Sequence, residues 1–463
     1  MTSKSVLVMT QEHHERLLCH LFPGDGLEAA AILLCARGPG PRLRLIVRDV
    51  AMVPHAECKR EADFLQWPGM AIESAIDMAE QEGLSLILLH SHPGGYFNFS
   101  SQDDRSDQRT IPCISQAVGQ IHGSAIMLPS GEMRARVYSG DMRCQQIDLV
   151  TVAADDIHLW WSDEKFRQRP MAFSSDSRHE MNRIKAAFIG ASGTGSIAIE
   201  QGARLGFGDI LLVDFDKIEP KNLNRVLNSG VGDVGLFKVN VLAKAIASHR
   251  GEDIAAPIPN TILDRDTVLQ VSQADVIFCC VDSKEGRQVV DLISSAFLIP
   301  IFDVGVCIPT RQKQGAVAIL DVCARIDYVR PGGPTLFDRG VYTLEGLRAE
   351  YLQRVAPEQY KKELQDGYIK GAIEEAPSVI SLNMRAAADL MLEYIARVYP
   401  FRHTSNRNYS RRELSFAAGE EEFIPEQKFK IGNNPFLARG GCEPLLGMPY
   451  LSAPSNIDSL PQE

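Results

Sequence analysis

The chain has 463 residues, of which 45% are hydrophobic and 23% charged, and its formal net charge is −11. This length exceeds what one hydrophobic core usually fills, so we expect two domains plus extensions. The acidic balance argues against nucleic acid or an anionic membrane as the main partner. The apolar runs have the length of strands, which predicts no membrane-spanning helix. Ten cysteines without CxxC spacing, and an N-terminus without signal-peptide features, are typical of a reduced, cytoplasmic protein.

Hydrophobic periodicity in the first third of the chain predicts a first domain over residues 1–160. Helices are predicted over residues 11–21 and 70–81, and strands over 29–36, 43–53, 84–89, 125–128 and 133–138. Polar and charged residues replace this pattern over residues 158–177, where we place the domain boundary.

The strand over residues 84–89 leads into HSHPGGYFNFSSQD, which begins at His90 and is rich in groups that bind metals. In an extended segment His90 and His92 point to the same side, so both imidazoles can face one ion. Asp103 can supply a carboxylate and leave a fourth tetrahedral position for water, as catalytic zinc requires. Zinc lowers the pKa of such a water to about 7. A bare HxH is also compatible with two structural histidines beside a proline turn.

The full spacing, HxHP followed by six residues, a serine, two residues and an aspartate, resembles the JAB/MPN (JAMM) metalloprotease signature. The resemblance implies an α/β metalloprotease domain in which Glu28, at the head of a strand, acts as general base and acid. Glu15 and Glu57 lie in the same region and remain alternatives. By the same resemblance, Ser100 helps to hold the oxyanion of the tetrahedral intermediate. Asp104 competes for the place of the aspartate ligand, although the spacing disfavours it.

A second informative stretch, residues 187–238, begins as a buried strand, a glycine turn and a helix, and its next strand ends on Asp214. Gly190, Gly193 and Gly195 let backbone N–H groups approach phosphate oxygens at a helix N-terminus, and Asp214 is placed for a ribose hydroxyl. This pattern alone also fits an ordinary nicotinamide site. The polar groups that follow Asp214 favour a triphosphate instead, because an adenylating enzyme must neutralise a leaving pyrophosphate.

Five features make residues 178–399 resemble the ubiquitin-activating and ThiF/MoeB-like adenylating family: the glycine turn, DFD at 214–216, NLNR at 222–225, the lysine at 238 and VDS at 281–283. The resemblance implies a Rossmann-like ATP-binding domain, which we place at residues 175–400. It implies ribose binding by Asp214, phosphate binding by Asn222, Arg225 and Lys238, and magnesium binding by Asp282, with Asp216 as a further nucleotide-binding residue. Among these groups, Arg225, Lys238 and Asp282 are the expected catalytic residues.

Further periodicity predicts strands over residues 274–281 and 300–304 and a helix over 285–297. Asp282 then follows the carboxyl end of a parallel strand, where such sheets bind ligands. Arg178 and Arg183 precede the first strand of this domain, where basic residues approach the phosphates in the family, and their assignment stays open.

The C-terminal part contains a predicted amphipathic helix over residues 377–398 and a partly irregular extension over 401–463, whose last residues 452–463 we expect to be disordered. The sequence departs from the family after RPGGP, because TLFD stands where many relatives carry a zinc-binding CxxC. A structural zinc is therefore not expected. An activated acyl group has three weak candidate acceptors, Cys442, Thr335 and Ser378, and the alternative is that the reaction stops at the adenylate or passes to a partner.

Both resemblances concern the C-terminus of a ubiquitin-like modifier. They imply a bifunctional enzyme that uses Zn²⁺ to cleave at that C-terminus and uses ATP and Mg²⁺ to adenylate the freed carboxylate. The expected partners are the modifier and a conjugating enzyme, and the family leads us to expect a homodimer. Processing and activation of a sulfur-carrier protein is the alternative enzymatic reading, which the missing CxxC disfavours. The third hypothesis is a non-catalytic scaffold that binds a modifier.

Overall fold

The computed structural model describes residues 2–313, 316–365 and 379–453, which form two large β-sheets with helices packed against them and two two-stranded hairpins. This confirms the predicted α/β fold class. In the part of the chain that the structure describes, no helix is long and apolar enough to cross a membrane.

The N-terminal part combines eleven strands with three helices. Its strands are β1 (Ser5–Thr10), β2 (Ala30–Arg37), β3 (Leu43–Met52), β4 (Lys59–Arg60), β5 (Leu65–Gln66), β6 (Ser85–Ser91), β7 (His122–Met127), β8 (Met133–Tyr138), β9 (Cys144–Gln146), β10 (Leu149–Ala153) and β11 (Ile157–Trp161). Its helices are α1 (Gln11–Leu21), α2 (Gly69–Glu82) and α3 (Ser101–Val118). Nine strands form one sheet in the order β11-β10-β1-β3-β2-β6-β7-β8-β9, and β4 and β5 form a separate hairpin.

Several N-terminal elements differ from the sequence prediction. The additional elements are helix α3 and strands β1, β4, β5, β9, β10 and β11. The strand pattern continues to Trp161, inside the segment 158–177 predicted to be polar. Helix α3 is not predicted because most of its 18 residues are polar or charged, because it buries only Asp107, Ile111 and Ile114, and because it contains Pro112. A short apolar stripe of this kind gives little helical signal.

The C-terminal part contains eight helices and ten strands among the described residues. The helices are α4 (Ser175–Met181), α5 (Gly193–Leu205), α6 (Lys238–Arg250), α7 (Arg265–Val271), α8 (Lys284–Phe297), α9 (Leu344–Val355), α10 (Pro357–Gln365) and α11 (Ile380–Val398). The strands are β12 (Lys185–Ile189), β13 (Asp209–Val213), β14 (Ala255–Ile258), β15 (Val276–Cys279), β16 (Ile301–Cys307), β17 (Thr310–Lys313), β18 (Ala316–Ile319), β19 (Cys323–Val329), β20 (Arg411–Ser415) and β21 (Glu420–Ile424).

The second sheet has the order β14-β13-β12-β15-β16-β19-β20-β21, in which the first five strands are parallel and the last three are antiparallel. Parallel strands with helical crossovers bring their carboxyl ends to one edge, which is where such sheets bind ligands. Within the extension over residues 401–463, predicted to be partly irregular, β20 and β21 complete this sheet. The predicted start of the last helix at Pro377, and residues 454–463, lie outside the described residues.

Two buried arginines join the sheets across the domain boundary. Arg42 forms an ion pair with Asp275 at 2.7 Å. Arg44 donates hydrogen bonds to the carbonyl oxygens of Ala274 at 2.9 Å and Phe297 at 3.0 Å. Because buried guanidinium groups need such partners, this interface fixes strand β3 against the ends of helical segments in the second part.

His122 gives the N-terminal sheet a pH-dependent stability. Burial lowers the pKa of its imidazole from 6.5 to about 4, and Nδ1 accepts a hydrogen bond from the Leu86 amide at 3.0 Å. The unfolded chain therefore binds a proton more readily, so this stabilisation is complete above pH 6.5 and is lost as the pH falls towards 4. In urea unfolding of metal-free protein, the free energy of unfolding should fall as the pH is lowered. We expect this fall to be smaller in His122→Asn than in the wild type, by on the order of 2 kcal/mol. Identical pH slopes in both proteins would contradict the assignment.

Candidate functional site

The first candidate site lies where β6 ends and α3 begins. His90 Nε2 and His92 Nε2 are 3.0 Å apart, and they lie 3.2 and 3.7 Å from the two carboxylate oxygens of Asp103. Among the described residues, these three form the one group of potential metal ligands whose atoms all lie within 4.8 Å of one another. Two imidazole nitrogens and one carboxylate oxygen are a donor set that suits catalytic zinc.

Hydrogen bonds prepare these side chains for a cation. His92 Nδ1 lies 2.6 Å from the Tyr96 carbonyl oxygen, so Nδ1 carries the proton and Nε2 keeps its lone pair. Burial and the neighbouring His90 lower the pKa of His92, which favours the neutral, ligating form. Although burial opposes it, hydrogen bonds from His90 and Ser100 hold the pKa of Asp103 below its usual range. The site therefore offers one ionised carboxylate and a neutral imidazole.

Glu28 lines the same cavity, of about 260 Å³, as His90 and Asp103. The β4–β5 hairpin positions its backbone, because the Glu28 amide donates to the Glu61 carbonyl at 2.9 Å and Arg60 Nε donates to the Glu28 carbonyl at 2.7 Å. Burial, with the nearby Asp103 carboxylate, raises the pKa of Glu28 to about 7. A carboxyl group with that pKa exchanges protons near neutral pH.

Ser100 lies at the N-cap of α3 and faces the same cavity. Its Oγ accepts a hydrogen bond from the Asp103 amide at 3.2 Å, while Asp103 Oδ2 accepts one from the Ser100 amide at 2.6 Å. This capping box fixes the aspartate at the head of the helix. Asp104 points elsewhere and pairs with Arg136 at 2.6 Å, so the structure places Asp103 beside the histidines.

The second candidate site lies at the carboxyl edge of the parallel strands. Gly190 follows β12 with φ +92°, and a Cβ on it would lie 2.8 Å from the Cys280 carbonyl oxygen. Gly193 and Gly195 belong to the first turn of α5, both buried. The glycines therefore let the strand, the turn and the helix approach more closely than side chains would allow.

Asp214 and Lys238 stand beside this turn. Asp214 Oδ2 accepts a hydrogen bond from the Ala191 amide at 2.7 Å, and its Oδ1 accepts one from the Asp216 amide at 2.8 Å. Lys238, which opens α6, is 3% exposed and pairs with Asp216 at 2.8 Å. Burial raises the pKa of Asp214, and the Lys238 ammonium opposes that shift.

The remaining predicted residues have different surroundings. The Arg225 side chain lies beside the glycine turn, because a Cβ on Gly193 would lie 3.4 Å from its Cδ. Asn222 is 4% exposed and its Oδ1 accepts from the Glu219 amide at 2.9 Å, which is a local structural role. Asp282 is exposed just before α8. The turn, Asp214, Asp216, Arg225 and Lys238 therefore converge, and Asp282 belongs to the same sheet edge.

Asn383 is a contributor that the sequence does not reveal. It lies in α11, is 1% exposed, and its Oδ1 accepts a hydrogen bond from Thr194 Oγ1 at 3.2 Å. A Cβ on Gly193 would come within 2.3 Å of its Nδ2. The asparagine thus packs on the glycine turn although it lies far from the turn along the chain. A single polar residue within a helical pattern does not indicate such a contact.

Arg178 and Arg183 lie away from this edge. Both precede β12, and hence belong to the amino edge of the parallel strands. Arg183 stacks over Trp161 with its guanidinium carbon 4.3 Å from the ring centroid. It therefore packs at the domain boundary in this conformation.

Two of the proposed acyl acceptors are described. Cys442 follows Gly440, whose amide donates to the Ala296 carbonyl at the C-terminal end of α8. Helix α8 has 14 residues and rises about 1.5 Å per residue. Its N-terminus, next to Asp282, is therefore about 20 Å from the C-terminal end of the helix that Gly440 contacts. Thr335 Oγ1 donates to Asp338 Oδ2 at 3.0 Å. Ser378 lies outside the described residues.

Gly195→Ala tests whether the glycine turn binds a nucleotide. A Cβ at this position would lie 2.0 Å from the Gly190 carbonyl oxygen, so the turn must shift. We expect the dissociation constant of a fluorescent ATP analogue to rise about tenfold or more, because displaced amides lose their phosphate contacts. Ser192→Ala, in the same turn, is the control and should bind the analogue as the wild type does. Unchanged affinity in Gly195→Ala would show that the nucleotide does not bind at this turn.

This α/β protein carries a histidine–aspartate group in its N-terminal part and a glycine turn with cationic neighbours in its C-terminal part. Residues 10–142 match the prokaryotic homologs of the JAB domain, and residues 167–381 match the ThiF family. The chain joins a prokaryotic JAB-type domain to a ThiF-family domain, which confirms both resemblances.

Curated relatives of this chain include the ubiquitin-like modifier-activating enzyme 5 of several animals. The Caenorhabditis briggsae protein is 27% identical over 165 residues, which cover 33% of this chain and 35% of that protein. The Drosophila melanogaster protein is 29% identical over 173 residues, covering 34% and 40%. The matched segment thus spans well under half of these relatives.

Solved structures that this chain is similar to include E. coli MccB with ATP, with a TM-score of 0.41 and 18% identity over 57% of this chain and 69% of that chain. The Microcin C7 biosynthetic enzyme MccB in complex with N-formylated MccA gives a TM-score of 0.43 and 19% identity over 57% and 70%.

Proposed function

We propose that this protein is a bifunctional enzyme of a ubiquitin-like modifier pathway. Its JAB-type domain cleaves the peptide or isopeptide bond after the modifier's C-terminal residue, and its ThiF-family domain adenylates the freed carboxylate. The observation that carries the proposal is the presence, in one chain, of Glu28 beside the His90–His92–Asp103 group and of Arg225 and Lys238 around a glycine turn. Each set suits one of the two reactions.

In the hydrolytic reaction, His90, His92 and Asp103 would hold a zinc ion. When bound, zinc activates a water molecule as a nucleophile near neutral pH. The Glu28 carboxylate accepts a proton from the attacking water and delivers it to the leaving amine, for which a pKa of about 7 is suitable. The Ser100 hydroxyl faces the same cavity and donates towards the developing oxyanion.

In the adenylation reaction, the modifier's terminal carboxylate oxygen attacks the α-phosphorus of ATP. A new carboxyl–phosphate bond forms, the bond to the β-phosphate oxygen breaks, and pyrophosphate leaves with the electron pair. Arg225 and Lys238 neutralise the negative charge on the phosphates, and Asp282 would hold the magnesium ion that accompanies ATP. Asp214 binds the ribose, and its contacts with the Ala191 and Asp216 amides hold its carboxylate in place.

Two assays on the purified chain test the proposal. ATP–pyrophosphate exchange with a mature ubiquitin-like protein from the same genome tests adenylation, and zinc-dependent cleavage of a modifier fusion tests hydrolysis. Activity in both is the expected result, and activity in neither overturns the proposal. A carrier thiocarboxylate formed with a sulfur donor would instead assign the chain to sulfur-carrier activation. Light scattering tests the proposed homodimer.

A further inference from the structure

The zinc-type ligands come from two separate elements. His90 lies in β6 and His92 directly follows it, whereas Asp103 lies in the first turn of α3. Their relative positions therefore depend on how the start of α3 is docked against the sheet. The ion requires ligand distances near 2 Å, so a small shift of this helix matters.

The start of α3 is held by polar contacts. The buried apolar residues of α3 are Ile111 and Ile114, two turns or more beyond Asp103, and Asp107 is the buried residue nearest to it. Asp107 is 4% exposed. Its Oδ2 accepts hydrogen bonds from Ser124 Oγ, from Arg136 Nε at 2.9 Å and from Tyr138 OH at 2.8 Å.

These donors belong to strands β7 and β8, which follow β6 in the same sheet, and β6 carries His90. Ser124 in β7 pairs with Arg136 in β8, and β7 pairs with β6 at His90 and Ile126. The Asp107 carboxylate thus ties α3 to the same sheet that carries His90. It lies one helical turn after Asp103, and so acts close to the ligand.

Arg136 contacts residues on both sides of the N-cap of α3. Its Nη1 donates to Asp104 Oδ1 at 2.6 Å on the helix side, while its guanidinium carbon lies 3.8 Å from the ring centroid of Phe99, just before the N-cap. Arg136 is 6% exposed, so its guanidinium is desolvated, whereas the Asp104 carboxylate remains exposed to solvent. Burying such an ion pair contributes little net stability compared with apolar packing, but it fixes orientation.

We infer that Arg136 and Asp107 are positioning residues that set the place of the zinc ligand Asp103 relative to His90 and His92. This inference rests on the proposed zinc site. Neither residue is required to touch substrate. Their contribution should appear as metal affinity and coordination geometry, as for other groups that orient metal ligands.

Zinc affinity of the full chain, measured by competition with a chromophoric chelator, tests the inference without any substrate. We expect Arg136→Met to weaken zinc binding by about 10- to 100-fold and to alter the visible absorption spectrum of the Co²⁺-substituted protein. Arg136→Lys, which keeps the charge but lacks the planar fork, should fall between that variant and the wild type.

Arg134→Met is the matched control. Arg134 lies two residues earlier in the same strand and stacks over Phe97 at 4.5 Å, but its hydrogen bonds go to Asn98 and to the Ser162 carbonyl, outside α3. It should bind zinc within about twofold of the wild type, because it leaves the helix contacts intact. Equal weakening in both arginine variants, or wild-type affinity in Arg136→Met, would overturn the inference.

Tyr138→Phe keeps the test valid if Arg136→Met does not fold. This variant removes one hydrogen bond to Asp107 and preserves the ring, so we expect zinc binding to weaken about threefold or more. Unchanged affinity there would also overturn the inference. A wild-type protein that binds zinc but cleaves no modifier fusion would contradict the proposed peptidase activity alone, whereas one that binds no zinc would remove the basis of both.

Discussion

Replacing Glu28 with glutamine is expected to slow cleavage of a modifier fusion by about 100- to 10,000-fold while zinc content stays at the wild-type level. Glutamine keeps the shape of the side chain but cannot accept the proton of the attacking water. The carboxyl group lies in the cavity of the histidine–aspartate group, and its raised pKa of about 7 suits proton transfer near neutral pH. Steady-state cleavage assays and elemental analysis of the purified variant measure both quantities.

Glu57→Gln is the control for this prediction. Glu57 is exposed and lies outside the residues that line the cavity, so its variant should cleave as the wild type does. If Glu28→Gln retained more than about a tenth of the activity, a different residue would have to move the proton. If it lost zinc as well, the effect would be structural rather than catalytic.

Asp282→Asn is expected to reduce ATP–pyrophosphate exchange by about 100-fold or more, because a neutral amide holds magnesium poorly and the phosphates lose charge compensation. The residue is exposed at the carboxyl edge of the parallel sheet, so the substitution should leave the fold intact. Exchange at several magnesium concentrations measures the effect. High magnesium should restore part of the rate.

A matched carboxylate at the opposite edge separates this effect from a general change in charge. Asp209 opens β13 and pairs with Lys185 at 2.9 Å, at the amino ends of the strands. Asp209→Asn should exchange pyrophosphate within about twofold of the wild type, since the proposed phosphate site is at the other edge. Wild-type exchange in Asp282→Asn would show that this carboxylate does not hold the metal.

Local spacing explains why the sequence predicts the ligand group so directly. His90 and His92 share one side of an extended segment, and Asp103 follows at a separation set by one loop, so all three are neighbours along the chain. Glu28 is different, because β2 brings it to the site from sixty residues away through pairing with β6. Only the family resemblance identifies such a residue.

The contacts that hold each site in place depend on long-range packing. Arg136 reaches α3 from β8, and Asn383 reaches the glycine turn from the last long helix, so neither follows from periodicity or a motif. Strand β20, with the sequence RRELS, was missed for a related reason. Its polar residues pair with the carboxylates of neighbouring elements, which the alternation of apolar and polar residues does not indicate.

The central claim is that the two sites act in succession on one modifier terminus. The direct test is ATP–pyrophosphate exchange with a precursor modifier that carries extra residues after its terminal glycine, compared with the mature form. We expect the wild type to exchange with both forms, Glu28→Gln with the mature form alone, and Asp282→Asn with neither. Precursor-dependent exchange in Glu28→Gln equal to that of the wild type would contradict the claim, because activation would then not depend on prior cleavage at the zinc-type site.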